Sequence, residues 1–504
     1  MRDRIGRAFV KPLAIVICWE FMCAALLQAQ SPLELTLEKS IALALDQSFA
    51  MRNATQLYIA AKKSYEAQSL ITGTSVDLTL RLPDYTESLS NQFNPISQRF
   101  EFYQLQTTLL RSNLAINQPV GVTGGTLSLS GDFFKRNQLT GSASSSDAIR
   151  DYFSYFQVQL QQPLLTANTL KISADQASLR LEDASSSFKR DQLDVVFGVT
   201  DAFYAAYRAS QAELISGEQV KQNEESYATA KSKYGAGLIP EVDYLQSDVD
   251  LVTSKNQLLN DQREASRAKN ALKLLLGLEL QSEVTLRSEL TYTPINVDPK
   301  LAADKALENR AELLNARHAR DISEMDLELA SSRRHVRLDL TASYGLNRND
   351  ERVESVFQDF GRTRTVALQL SVPLFDWGRH AREVEAAEAQ LKSADLTFAN
   401  TEQQIRQQVI DLLSRISVAE SRIEVLSKSV DVAQKSYEIS LERFRAGITS
   451  RNDLAQAQQR LTASKLNNLV ALIDYRLGIA DLTRKTLWDF EHDRPADVAP
   501  PMEK

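Results

Sequence analysis

The residues from which catalytic or metal chemistry would be built are present in this chain, but their spacing forbids it. His318, His335, His380 and His492 share no metal-ligand spacing. Both cysteines, Cys18 and Cys23, fall at the extreme N-terminus, so a thiolate site in the body of the chain is excluded. Gly121–Gly125 lacks the Lys and the following helix of a phosphate loop, and no Gly-x-Ser-x-Gly elbow occurs. Acidic residues are plentiful but follow helix surfaces. No cofactor, no metal and no enzymatic activity are expected. What remains is a pair of Gly turns, Tyr234-Gly235-Ala236-Gly237-Leu238-Ile239 and Phe444-Arg445-Ala446-Gly447-Ile448-Thr449, each followed by an acid, Asp243 and Asp453. Gly237 and Gly447 stand where a helix must stop and reverse, which a left-handed glycine does without Cβ strain. Ser450 and Asp453 have capping-box spacing, and Pro240 holds the same repeat position as Ser450. The bland reading is that these acids cap a turn. The functional reading is that several copies set Asp453 around an axis, with Asp243 and Arg451 beside it, as a cation-attracting constriction.

These turns belong to a unit that is written twice. Pro163 recurs as Pro373, Phe188 as Phe398, Tyr227 as Tyr437, Gly237 as Gly447, Asp243 as Asp453 and Leu251 as Leu461, all 210 residues apart. Each copy reads as a short alternating strand, a Pro at the strand–helix junction (Pro163, Pro373), a long helix, a Gly turn and a returning helix. Helices over 168–233 and 378–443 would rise about 100 Å each, and 240–276 and 450–486 return. A narrow seam, Val195, Val199, Ala202 and Ala206, suits coiled-coil packing. Helical segments 34–72 and 299–335 echo one another at offset 262, as do Asp77-Leu78-Thr79 and Asp339-Leu340-Thr341. The two offsets differ by 52, so the first copy holds an insert within 83–151.

Four strands alternate cleanly. Val76, Leu78, Leu80 and Leu82 form one apolar row, and Phe156, Val158 and Leu160 a second. Leu338, Leu340, Ala342 and Tyr344 form a third, and Val366, Leu368, Leu370 and Val372 a fourth. Gln, Thr, Ser and Asp fill the opposite rows. An ordinary sheet over a soluble core reads the same way, but no other apolar face in the chain is flat enough to cover it, and a wet lumen opposite lipid explains both rows. The insert carries Ser112–Pro119, Thr126–Ser130 and a Ser-rich stretch Gly141–Ser146. It reads as an added hairpin that either extends outside the cell or adds strands to a barrel, the first being favoured. Four strands cannot close on themselves, and an open edge in lipid leaves backbone groups unsatisfied. Copies must therefore associate: two would enclose a filled barrel, three a hole.

The N-terminus has Arg2, Arg4, Arg7 and Lys11, an apolar run Leu13–Leu27 and Leu27-Gln28-Ala29. It reads as a signal peptide cut near Ala29, with a membrane anchor or a lipidated Cys23 as alternatives. Removing its net +2 from the chain's −7 leaves −9, which argues against nucleic acid. No 18-residue apolar run follows, so no helix is expected to span a bilayer. The expected organisation is 1–29 signal peptide, 30–277 first repeat, 278–298 linker with a short strand in Val284–Leu290, 299–488 second repeat and 489–504 unstructured tail.

With Leu374-Phe375-Asp376-Trp377-Gly378-Arg379 and the paired Gly tips, the whole mature chain resembles the outer-membrane efflux proteins, the TolC-like exit ducts of Gram-negative bacteria. The resemblance implies a mixed, mainly α fold: an internally duplicated, long α-helical coiled-coil barrel plus a transmembrane β-barrel formed by trimerisation, four strands per protomer making twelve. It implies a homotrimer in outer-membrane lipid with its helical tunnel in the periplasm. It also implies passive export, with a periplasmic adaptor and an inner-membrane pump as partners. The tips, with Gly237, Leu238, Gly447 and Ile448, would be the end that closes the aperture and meets the adaptor. Related ducts can carry a second acid one turn beyond Asp453; here Gln456 stands there, so the ring would be less charged. A non-conducting coiled-coil scaffold or adhesin is the rival reading.

Overall fold

The computed structural model describes residues 33–94, 97–142, 145–288, 290–334, 336–446 and 448–496. The expected signal peptide, His335, Gly447 and the last eight residues lie outside them. The chain forms two compact units, one made of 57–187 with 311–404, the other of 188–310 with the segments before 57 and after 404.

The first unit contains a six-stranded antiparallel sheet. In chain order its strands are β2 (Ser75–Asn94), β3 (Arg99–Val120), β4 (Gly125–Ser142), β5 (Ser145–Pro163), β7 (Arg337–Asp350) and β8 (Gly361–Ser371), and they lie side by side in that order. The expectation of four strands is thereby corrected. The insert is β3 and β4, which stand between β2 and β5 and pair with both, for example Leu114↔Leu78 and Leu129↔Val158. The preference for a loop outside the cell is corrected with it. β7 and β8, the second copy, pair directly.

Period-two alternation gives this sheet two unlike faces. Register places Val76, Leu78 and Leu80 in line with Ile116 and Leu114, then Leu127 and Leu129, Leu160 and Val158, Leu340 and Ala342, and Leu368 and Val366. The other face shows Asp77, Thr79, Asn113, Asn117, Ser128, Ser130, Gln157, Gln159, Thr341, Ser343, Thr365 and Gln369 in the same registers. Beyond the apolar band its face turns to Tyr85, Phe133, Tyr152 and Tyr344, and then to Glu87, Lys135, Arg150 and Arg362.

The rest of the chain is mainly helical: 57–69, 169–187, 311–334 and 379–404 are helical parts of the first unit, and the other helical segments form the second. β1 (Leu33–Leu35) pairs in parallel with β6 (Val284–Leu286). Helices α1 (Leu37–Gln47) and α2 (Phe49–Ser69) are matched by α5 (Pro299–Asn309) and α6 (Ala311–Arg334), whose starts lie 262 residues later. Thr36 and Asp298 cap α1 and α5 by accepting from Lys39 N at 3.3 Å and Lys300 N at 2.9 Å. Helices α3 (Thr169–Gly235) and α7 (Arg379–Arg445) have 67 residues each, and α4 (Glu241–Leu276) and α8 (Arg451–Thr486) have 36 each. Every boundary of the second pair lies 210 residues after that of the first.

Two buried clusters hold the second unit. Leu35, Val199, Phe203, Leu272, Leu276 and Ile473 make one, with Val195 and Ala202 packed against it. Leu412, Ile416, Ile423, Ala471, Tyr475 and Leu482 make the other. The Tyr475 hydroxyl donates to Thr293 O at 2.7 Å and accepts from Ile295 N at 3.2 Å, so the extended stretch before α5 is pinned to α8. Where an unstructured tail was expected from Asp489, β9 (Trp488–Asp489) pairs with β10 (Arg494–Pro495). The indole of Trp488 donates to Asp493 at 3.2 Å and its ring stacks under Lys305, which gives the turn a fixed place.

Candidate functional site

Within the sheet unit, the inserted hairpin is tied in at both levels. The turn between β3 and β4 reverses at Gly124, whose φ is +71°. A Cβ there would meet Asn168 Oδ1 at 3.1 Å. Asn168 Nδ2 donates to Gly121 O at 2.7 Å and to Val122 O at 3.2 Å, while its Oδ1 accepts from Lys171 N at 3.0 Å. One side chain therefore caps α3 and fastens the hairpin turn. Gln118 donates to Thr72 O at 3.0 Å, and Gln162 to Thr123 O at 2.8 Å, which bind the same turn to both neighbouring junctions. Farther along, the polar face carries a ladder across β3, β4 and β5. Arg111 Nε meets Asp132 at 2.8 Å, Phe134 stacks on Phe153 at 4.3 Å, and Arg136 Nε meets Asp151 at 3.1 Å. Asp132 and Asp151 are buried, so each needs the guanidinium that faces it.

Pro163 closes β5, where a missing N–H costs least, and Leu164 N resumes the ladder on Leu338 O at 2.8 Å. Pro373 stands two residues past β8. After it Leu374, Phe375 and Trp377 are largely exposed, with the two rings 4.8 Å apart. Together with Tyr85, Phe133, Tyr152 and Tyr344 they place aromatic residues at both ends of the apolar band, the pattern of a lipid-facing wall.

In the helical unit, the turn after α3 is a Schellman motif: Leu238 N donates to Lys233 O at 2.9 Å and Gly237 N to Tyr234 O at 2.8 Å, with Gly237 at φ +69°. The second tip repeats the long bond, from Ile448 N to Arg443 O at 2.9 Å. Leu238 and Ile448 are both exposed. Tyr234 stacks on Tyr244 at 5.4 Å, and Tyr227 meets Tyr244 hydroxyl to hydroxyl at 3.2 Å, which stiffens the first tip. Asp453 completes a capping box: its carboxylate accepts from Ser450 N at 3.3 Å, and Ser450 Oγ accepts from Asp453 N at 3.2 Å. Asp243 and Gln456 line a cleft of about 840 Å³ with Gln246, Asp250, Gln459 and Phe444. A Gln222–Gln458 hydrogen bond joins the two hairpins beside it. Arg451 opens α8; its side chain lies outside the described part.

Two features escaped the sequence reading. On α4, Val242, Leu245, Val249, Val252 and Leu259 follow heptad spacing and are each at least half exposed. On α7, Val418, Val425, Val432 and Ile439 recur every seventh residue and are equally exposed. A groove of about 540 Å³ runs beside Val418 and Val425, bounded by Leu426 and Asn467. The seven-residue spacing is visible in the sequence, but only the structure shows that these rows are left exposed among the described residues.

The histidines are used as structural partners. His318 is buried between α6 and α3, with Nδ1 2.6 Å from Asp183 and Nε2 3.5 Å from Glu182. Burial holds the Asp183 carboxyl above its ordinary range while His318 pulls it back. His380 pairs with Asp376, and His492 with Asp489 at 2.8 Å. Among the described residues no group of three or more metal-capable side chains converges, and no helix is long and apolar enough to cross a membrane.

Comparison with known proteins agrees with this geometry. The toluene efflux pump outer membrane protein TtgI of Pseudomonas putida is 24% identical over 314 residues, 61% of this chain and 66% of its own length. The alkaline protease secretion protein AprF of Pseudomonas aeruginosa is 24% identical over 338 residues, 66% of this chain and 69% of its own. The crystal structure of the outer membrane protein VceC of Vibrio cholerae superposes with a TM-score of 0.66 at 14% identity, covering 92% of this chain and 97% of that one. The model of the outer membrane efflux protein family matches residues 126–278 and 302–482. The chain is therefore a member of the outer membrane efflux protein family, an outer-membrane exit duct of mainly α fold whose relatives are channels and not enzymes.

Proposed function

We propose that three copies of this chain associate into a duct that passively conducts cargo from the periplasm to the exterior, docked at its helical tips on a periplasmic adaptor and energised by an inner-membrane pump. The observation that carries this reading is the sheet itself. One face is a continuous polar row, the other an apolar band with aromatic ends, and neither edge strand finds a partner among the described residues. Such a sheet is stable in lipid only when its edges are closed by further copies. The exposed heptad rows of α4 and α7 ask for the same solution, since each is a coiled-coil seam that no helix among the described residues covers.

The tips supply the regulated end. Asp243 and Gln456 face the cleft beside the turn, and Arg451 and Asp453 start α8 next to it. Around a three-fold axis they make a mixed ring with fewer acids than a ring bearing a second carboxylate. Leu238 and Ile448 offer exposed apolar contacts to the adaptor. The relatives' names, one a toluene efflux component and the other a protease secretion component, leave the cargo class to the pump.

Heat-modifiable trimers in the outer-membrane fraction, with discrete conductance steps in planar bilayers, are expected. A soluble single subunit without conductance would overturn the reading. Asp243→Ala and Arg451→Ala are expected to change the conductance of the closed state; unchanged conductance in both would remove the gate from the tips.

A further inference from the structure

We infer that the wall this chain builds in the membrane is eighteen-stranded, closed by β2 of each copy pairing with β8 of the next. The inference rests on the three-copy duct proposed above and takes from the structure the number of strands per copy. Three copies of a six-stranded sheet make eighteen strands.

The hairpin β3–β4 cannot be set aside as an ornament on a four-stranded wall. It pairs with β2 from Ser75↔Asn117 to Asn94↔Arg99 and with β5 from Thr126↔Gln161 to Ser142↔Ser145. Its inner turn is held by Asn168, Gln118 and Gln162 at the level where α2 ends and α3 begins. The Arg136–Asp151 pair joins β4 to β5 on the polar face, so expelling the hairpin would strip the buried Asp151 of its partner. Both rows also run through it without interruption: Asn113 and Ser130 continue the polar face, Leu114 and Leu129 the apolar one.

The two remaining edges fit one another. β2 leads away from the strand–helix junctions and β8 returns to them, so a β2–β8 pair across copies is antiparallel, like every other pair in the sheet. Val76, Leu78 and Leu80 on one edge and Val366, Leu368 and Leu370 on the other would continue a single apolar belt, and all six are exposed in the single chain. Strands spaced about 4.8 Å apart and tilted about 40° give a backbone diameter of about 36 Å for eighteen strands, against about 24 Å for twelve. The first is the size at which barrels keep a water-filled channel. The membrane part of this duct is therefore wide open, and any constriction lies elsewhere.

Electron cryomicroscopy of the processed, detergent-extracted oligomer tests this by counting strands. Eighteen strands from three copies are expected. A twelve-stranded wall, either from two copies or from three with residues 99–142 outside it, overturns the inference. Oxidative cross-linking gives an independent arm, because the described residues contain no cysteine. Leu78→Cys combined in turn with Val366→Cys, Leu368→Cys and Leu370→Cys should yield, for at least one pair, a covalent ladder ending at three chains. A ladder ending at two, or none for all three pairs, contradicts the β2–β8 seam. Bilayer conductance separates the failures: an eighteen-stranded oligomer that conducts nothing defeats the duct and leaves the wall standing, and a conducting twelve-stranded one does the reverse.

Discussion

Asn168 shows how one side chain can hold two elements. Replacing it with Ala removes the cap of α3 and two bonds to the β3–β4 turn, and each loss is worth about 1 kcal/mol. Asn168→Ala should therefore lower the midpoint of thermal unfolding, and Asn168→Asp, which keeps the cap but not the donor, should recover only part. Tyr475 gives a pH test. Its pKa is pushed up to about 12, chiefly by burial and then by the nearby Glu420. A group whose folded pKa is raised contributes stability that is fully present below its ordinary value near 10 and is lost as pH rises through the folded value. Unfolding should thus become easier between about pH 10 and 12, and Tyr475→Phe should flatten that stretch of the curve while lowering stability at neutral pH, because Thr293 O and Ile295 N lose their partner. An unchanged slope in the variant would assign the alkaline transition to other groups.

At the scale of elements, the exposed rows of α4 and α7 are the parts most in need of a neighbour. A charge in either row, Val249→Glu or Val432→Glu, should split the oligomer in light scattering while leaving the helical content of each chain intact, since neither side chain is buried within it. Oligomers that persist in both variants would show that these rows meet something other than another copy. Much at this scale was legible beforehand. The repeat fixed by Pro163 and Pro373, the strand alternation at Val76–Leu82 and Val366–Val372, and the Gly237 reversal all follow from local periodicity and turn chemistry, which a single sequence displays. The inserted strands were harder. Beyond Leu109 the β3 row passes through Thr108, Gln106 and Gln104 on the face that is apolar nearer the junctions, so the alternation that marks a lipid-facing strand fades there. Pairing of β3 with β2 and of β4 with β5 is long-range information that no local pattern carries. At the tips, the capping box at Ser450 and Asp453 was readable from spacing, whereas the cleft holding Asp243 and Gln456 depends on how two hairpins distant in sequence lie together.

For the whole molecule, conduction depends on which face of the sheet meets the water that carries current. Ser128 and Leu129 are neighbours on β4, one on the polar row and the other on the apolar row, and the sheet pairs them with Gln159 and Val158 on β5. Single-channel recording of Ser128→Cys and Leu129→Cys oligomers, exposed to a charged, membrane-impermeant thiol reagent, addresses the point directly. A stepwise fall in current, one step per modified copy, is expected for Ser128→Cys and an unaltered current for Leu129→Cys. Modification of Leu129→Cys that blocks current while Ser128→Cys stays unaffected would turn the wall inside out and contradict this expectation.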